Sequence, residues 1–398
     1  MSLIEGGLCL YVAVSVIPVT LFLIFRARIT RSQSLRDRTA EEGGLAVPVE
    51  VLVPITGEIS YHEPALRSLV EQDYEQYGLV LIVESADDPA NRLVDRLCSE
   101  YAKVRKVISG VSECCAQKNH NLVEGVKHLR PETEIIVFCD STNEADTHWL
   151  RDFTRPLRAG SAHAVTTFRA FDPQPETVAG MSQAVYAACI VVLNASRPTP
   201  WGGATAIRRK TFDMLHVSAT WASTVVDDLV LGNILRDAGL EVHFDPGLLL
   251  RSPLHHHTFR DLLAYLDRQI LFPKFTNPLL WSSSLICSVN LTIGLVVSLA
   301  MAALFPLGYV NLTAGLVSLG ALALSVLAGL SLKALNPYPL SVFRWVLSIL
   351  PLLLVGSFVF VRSIFVKKIE WHGTRYYPGP SGVVLRVGRF HTPDRACS

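Results

Sequence analysis

Apolar stretches bracket a charged middle, and this arrangement constrains the chain more than any other feature of its sequence. Leu3 to Phe25 carries one charge, Glu5, and is long enough to cross a bilayer as a helix. Three more apolar blocks, Leu279 to Leu304, Tyr309 to Leu332 and Val342 to Val366, follow the charged region. Only 18% of the 398 residues are Asp, Glu, Lys or Arg, below the roughly 25% of soluble domains. The expected division is a transmembrane helix at 1–25, a cytosolic domain at 26–275 ending in an interfacial helix, a membrane region at 276–366 with two or three spans, and a tail at 367–398.

Arg26, Arg28, Arg31, Arg36 and Arg38 follow the first span, which places that side in the cytoplasm. No small-residue cleavage site follows the apolar core, so an anchor is expected rather than a removed signal peptide. Three spans in the later blocks would put the tail outside, whereas Lys367, Lys368, Arg375, Arg386 and Arg389 favour inside. Pro351 offers a break that would make the last block re-entrant. The count stays open at three or four spans.

Thirty-six basic and 35 acidic residues leave a formal charge of +1, which excludes a polybasic nucleic-acid binder. Eight cysteines without a Cys-x-x-Cys pair support neither a disulfide scaffold nor a zinc site of that spacing.

Between the apolar ends, β-branched runs alternate with amphipathic helices. Strands are expected at Val47–Val53, Leu79–Val83, Lys103–Ile108 and Glu134–Cys139, with helices at Pro64–Gln72, Arg92–Tyr101 and Lys118–Leu129 between them. That order predicts an α/β domain with a mostly parallel, doubly covered sheet. Ligands bind such sheets beyond the carboxyl ends of the strands, and acidic residues cluster there: Asp87 and Asp88 after the second strand, Asp140 after the fourth. Further on, Gly202-Gly203 reads as a close-approach turn entering a strand, and Asp227-Asp228 opens a helix running to Asp237. Thr258 to Phe275 is amphipathic, which predicts a helix lying in the membrane interface.

Three separated carboxylate sites suit a nucleotide-sugar enzyme. One can hold uridine, one a divalent cation beside the pyrophosphate, and one can take the proton of an attacking hydroxyl. Asp87/Asp88, Asp140 and Asp228 fit these roles in that order. Simpler explanations exist for each: a turn at Asp87-Asp88-Pro89, a helix cap at Asp140, and favourable helix-dipole charge at Asp228. His255-His256-His257 is expected in an interfacial loop rather than on a metal, since consecutive side chains diverge. Cys139 is expected to be packing.

In order, the motifs Asp87-Asp88-Pro89-Ala90, Lys118-Asn-His-Asn121-Leu122, Cys139-Asp140-Ser141, Trp201-Gly202-Gly203, Asp227-Asp228 and Trp371-His-Gly373-Thr-Arg375-Tyr376 resemble those of ceramide glucosyltransferase-type enzymes of the GT-A group. The resemblance runs from about Val47 to Arg386. It implies a GT-A, Rossmann-like cytosolic domain with membrane helices at both ends, in an integral multi-pass protein. It also implies inverting transfer of a hexose from a UDP-sugar, with UDP-glucose the best match, to a ceramide-like lipid of the bilayer. Asp228 would be the catalytic base. Pro54, Asp88, Lys118, Asp140 and Gly203 would bind the donor, and Asp140 would hold Mg2+ or Mn2+. Asp227, Arg268 and Phe272 would face the acceptor. The family's Q/R-x-x-R-W pattern is degraded here to Arg268-Gln-Ile-Leu271-Phe272, with leucine in place of the second arginine. A processive polysaccharide synthase and a catalytically silent membrane scaffold are the competing readings.

Overall fold

The computed structural model describes residues 3–36, 46–57, 62–389 and 395–396; Arg38 of the basic flank lies outside them. Helices α1 (Leu3–Ser15) and α2 (Ile17–Arg36) open the chain. The globular part then alternates β1 (Val49–Pro54), α3 (His62–Val70), β2 (Tyr77–Val83), α4 (Asn91–Glu100), β3 (Val104–Ile108), α5 (Gln117–Lys127), β4 (Ile135–Cys139) and α6 (Trp149–Arg158). These match the sequence expectation to within two residues at nearly every end. The reason is local: β1 and β2 are buried along their length, and their neighbouring side chains serve opposite faces. Val51 and Val53 join one hydrophobic cluster, and Leu52 joins the other.

Next come β5 (Ala164–Thr166), β6 (Arg169–Gln174), α7 (Val178–Ser196), β7 (Ala204–Arg208), α8 (Arg209–Met214), α9 (Val217–Trp221), α10 (Asp228–Asp237), β8 (Val242–Phe244) and β9 (Leu250–His255). The main sheet has the order β3-β2-β1-β4-β7-β5-β8. It is mostly parallel, with β7 antiparallel to both of its neighbours. A separate parallel pair, β6 with β9, carries the chain toward the membrane helices. His255 therefore ends a strand instead of lying in a loop. Sequence periodicity did not disclose β5, β6, β9 or α7.

The remaining helices are α11 (Phe259–Thr276), α12 (Pro278–Leu304), α13 (Leu312–Lys333), α14 (Val342–Leu347) and α15 (Ile349–Ser363). Among the described residues, five helical segments are long and apolar enough to cross a membrane: Glu5–Ala27, Val178–Ser196, Pro278–Leu304, Leu312–Lys333 and Val342–Ser363. The second of these, α7, is mostly buried, and both of its ends join strands of the globular part. It packs on α11, α13 and α15, so one hydrophobic cluster runs from β1 through Val185 and Leu266 to Trp345 and Val359. The boundary expected near 275 is thus crossed by a continuous core.

The apolar stripe of α11 faces the protein over most of its length. Leu262, Leu266, Ile270 and Leu271 are buried among protein side chains, and Leu263 is partly buried against the same cluster as Leu262. Capping is well defined: the Thr258 side chain accepts from the Asp261 N–H, and the Asp261 carboxylate accepts from the Thr258 N–H.

The last apolar block breaks at Ser348 and touches the globular part at both ends. At one end the Arg344 guanidinium donates to the Glu176 carbonyl (3.0 Å), and the Ser182 hydroxyl donates to the Ser348 carbonyl (3.1 Å). At the other end Lys274 donates to the carbonyls of Ser363 and Val366, each at 2.6 Å, and Arg362 pairs with Asp267. The tail then folds back as β10 (Ile369–Trp371), β11 (Thr374–Pro378), β12 (Val384–Arg389) and β13 (Arg395–Ala396), an antiparallel sheet docked on the globular part. Val225 N donates to the Gly382 carbonyl at 2.9 Å, and Val384 N to that of Ser223 at 2.8 Å.

Candidate active site

A cavity of about 370 Å³ opens beyond the carboxyl ends of β1 and β4. Because β7 runs antiparallel to β4, the start of β7 lies beside the end of β4, and Asp140 N donates to the Gly203 carbonyl at 3.2 Å. This pairing brings Asp140 and the Trp201-Gly202-Gly203 turn together across more than sixty residues of chain.

Lys118, in the first turn of α5, ties the site together. Its ammonium donates to the Gly202 carbonyl at 2.9 Å and pairs with Asp140 at 2.9 Å and with Asp227 at 3.2 Å. Burial works against the charged amine, but Asp140, Asp227 and Asp228 outweigh it and hold its pKa above the ordinary lysine value. The next residue, Asn119, donates to the carbonyl and hydroxyl of Thr224, both at 3.1 Å, which anchors the segment leading to Asp227. A Cβ at position 202 would stand 2.7 Å from both the Lys118 amine and an Asp227 oxygen, and one at 203 would meet the Trp201 ring at 2.1 Å. Close approach therefore requires both glycines.

Asp228 accepts from Gly202 N (2.9 Å) and from Leu229 N (2.6 Å). Burial above all, then the neighbouring Asp227, pushes its carboxyl up to about 6, against the opposing pull of Lys118 and of these two N–H groups. A carboxylate tuned toward neutrality and held in a cleft is suited to accept a proton.

Pro54, Lys118, Asp140, Gly203, Asp227, Asp228, Arg268 and Phe272 all line this cavity. Asp88 does not. Its oxygens accept from the Thr56 hydroxyl and from the backbone N–H of Gly57 and Ala90, all at 2.8 Å. It thereby shapes the Pro54–Thr56 wall from behind. Leu271 also points elsewhere, into the second hydrophobic cluster. Cys139 is buried, which pushes its thiol pKa up and agrees with a packing role.

Several lining residues had no assigned role in the sequence. The tail supplies Trp371, His372, Thr374 and Tyr376, and the Tyr376 hydroxyl accepts from Gln117 N at the start of α5 (3.1 Å). Arg389 pairs with Glu84 at 2.9 Å and closes the same wall. The ordered motif Trp371–Tyr376 was the signal available for this contribution. Arg169, on β6, enters the cavity with no motif to announce it.

The donor set suits a divalent cation completed by substrate oxygens. Asp140 presents a partly exposed carboxylate beside Ser141 and Thr142, and the Lys118 ammonium already lies between Asp140 and Asp227. Among the described residues no group of three or more His, Cys, Asp or Glu converges to hold an ion alone. One carboxylate with substrate phosphates and water is an ordinary shell for Mg2+.

The doubly covered, mostly parallel sheet and the carboxylate-lined cavity at its strand ends describe a GT-A-type glycosyltransferase that uses a nucleotide-sugar donor. The family model described as Glycosyl transferase family 21 matches residues 8–382, and the chain belongs to that family. Among solved structures, the chain is similar to the mannosyltransferase PcManGT from Pyrobaculum calidifontis in complex with GDP-Man and Mn2+. The identity is 16% and the TM-score 0.45, over 90% of this chain and 99% of that one. It is also similar to GalNAc-T7 with UDP, GalNAc and Mn2+ (10% identity, TM-score 0.41, 58% of this chain and 51% of that one). A third is S. aureus TarS 1–349 (13% identity, TM-score 0.33, 84% and 98%). No curated protein sequence matches the chain.

Proposed function

We propose that the protein transfers a hexose from a UDP-sugar, with UDP-glucose the first candidate, to the hydroxyl of a ceramide-like membrane lipid, inverting the anomeric centre. One observation carries this reading: the cavity that holds Lys118, Asp140 and Asp228 is also walled by Tyr265, Arg268, Gln269 and Phe272 of α11. That helix packs on α12 and α15, so a lipid hydroxyl can reach the carboxylates without its chains leaving apolar surroundings.

In this mechanism Asp228 takes the hydroxyl proton as the oxygen attacks the sugar carbon. The bond from that carbon to the diphosphate breaks on the opposite side. Lys118 and Asp140 mark the departing side, and Gly202 N–H holds Asp228 in place. A divalent cation, Mg2+ or Mn2+, held on Asp140 would neutralise charge on the leaving diphosphate. Asp227 keeps Lys118 oriented, and Asp88 fixes the wall against which the base would lie.

The tail docked on the catalytic domain supports three crossings, α1–α2, α12 and α13, with α14–α15 dipping in and returning. With the basic flank after Ala27, the catalytic domain and tail then face the cytoplasm. The test is transfer by purified protein in nanodiscs containing ceramide, with UDP-glucose, UDP-galactose and UDP-N-acetylglucosamine supplied separately. Mass spectrometry should find a hexosyl lipid, and the anomeric proton coupling in its NMR spectrum should show a β linkage. No glycolipid from any donor, or an α-linked product, would reject the reading.

A further inference from the structure

Arg169 projects from β6 into the active-site cavity, its side chain 15% exposed, and its guanidinium lies 4.6 Å over the Trp201 ring. Among the described residues it pairs with Asp140, at 3.4 Å. That carboxylate is already shared with Lys118 at 2.9 Å. The Arg169 Nε–H is buried with no acceptor among the described residues. Arginine has five donors in a planar fork, so most of this fork is unused.

A second guanidinium, that of Arg268, lines the same cavity and has no ion pair among the described residues. Burial above all, with Arg169 adding to it, lowers the Arg268 pKa below its ordinary value. Two guanidiniums line one cavity, Asp140 pairs with Arg169 alone of the two, and such charges carry an uncompensated cost until an anion arrives. Meanwhile the position where the Q/R-x-x-R-W pattern has its second arginine is Leu271, which is buried in a hydrophobic cluster.

We propose that Arg169 is a donor-binding residue whose guanidinium takes a phosphate oxygen of the nucleoside diphosphate, supplying from β6 the charge that the motif lacks at Leu271. Stacking on Trp201 fixes the plane of the fork, and contact with Asp140 sets it on the side where the diphosphate leaves. Arg268 completes the clamp from α11. This assignment rests on the proposed UDP-sugar donor.

The test is isothermal titration of the full-length protein in detergent with UDP and with uridine, for wild type, Arg169→Gln and Arg169→Lys. A lost charge-assisted hydrogen bond corresponds to about 10- to 100-fold in affinity. Arg169→Gln should weaken UDP by about that factor and leave uridine unchanged, with Arg169→Lys between the two. Uridine also reports whether the variants are folded. UDP affinity equal to wild type in both variants would overturn the assignment while leaving the donor reading intact. Unchanged UDP affinity together with a raised KM for lipid would give the guanidinium to the acceptor instead and would equally overturn it. Wild-type protein that binds no nucleoside diphosphate would remove both.

Discussion

Replacing Asp228 with asparagine separates proton transfer from donor binding. The side chain keeps its shape, and its one remaining oxygen can still accept from Gly202 N–H, which holds the wild-type carboxylate at 2.9 Å. What disappears is the group able to receive the acceptor's proton. Positioned general-base catalysis contributes about 10²–10⁴ in rate, or roughly 3–5 kcal/mol at 1.36 kcal/mol per tenfold. Turnover should fall by that factor while UDP affinity changes by less than about threefold, since less than 1 kcal/mol of binding is at stake. Wild-type activity should also depend on pH. With the carboxyl pushed up to about 6, kcat/KM should fall tenfold per unit below that pH, where the base is protonated, and level off above it. Stability should follow the opposite trend, because a carboxyl with a raised folded pKa favours folding at low pH. That contribution is full below the unfolded value of 3.8 and is lost as pH rises through about 6. Asp228→Asn should therefore unfold at a higher temperature than wild type at pH 7. Initial rates from pH 5 to 8, UDP titration and thermal scans make the comparison. Turnover within tenfold of wild type, or a loss of UDP affinity matching the loss of rate, would refute the role.

Other outcomes follow from the same geometry. Asp140→Ala should abolish the part of UDP-sugar affinity that depends on divalent metal; equal affinity with and without metal in wild type would contradict the ligand assignment. Tyr376→Phe strips the acceptor from Gln117 N–H and should cost about 1–3 kcal/mol of stability with a several-fold loss of activity; an unchanged melting temperature would show that the contact contributes nothing. Protease sites placed in the exposed turn at Gly239 and after Ser398 should be cut from the same face of sealed vesicles, and cleavage from opposite faces would exclude three crossings.

Local patterns in the sequence were enough to find β1 to β4, their helices and the long apolar blocks. Burial on both faces of a parallel strand writes a continuous apolar run, and an exposed helix writes a 3.6-residue stripe. The acidic residues beyond the strands were legible for the same reason: β4 ends at Cys139 directly before Asp140, and Asp87-Asp88 lie in the turn after β2 ends at Val83. Tertiary structure decided the rest, because direction and distance are not local properties. Asp88 lies in the turn after β2, yet its oxygens are used by Thr56, Gly57 and Ala90. The stripe on α11 was read as apolar and most of it packs into the protein core, and a hydrophobic pattern does not distinguish protein from lipid. The block at 342–363 meets the globular part at both ends, through contacts that its apolar composition does not announce. Arg169 carried no motif at all; its place beside Asp140 arises from strand order, which sets residues 29 positions apart around one cavity.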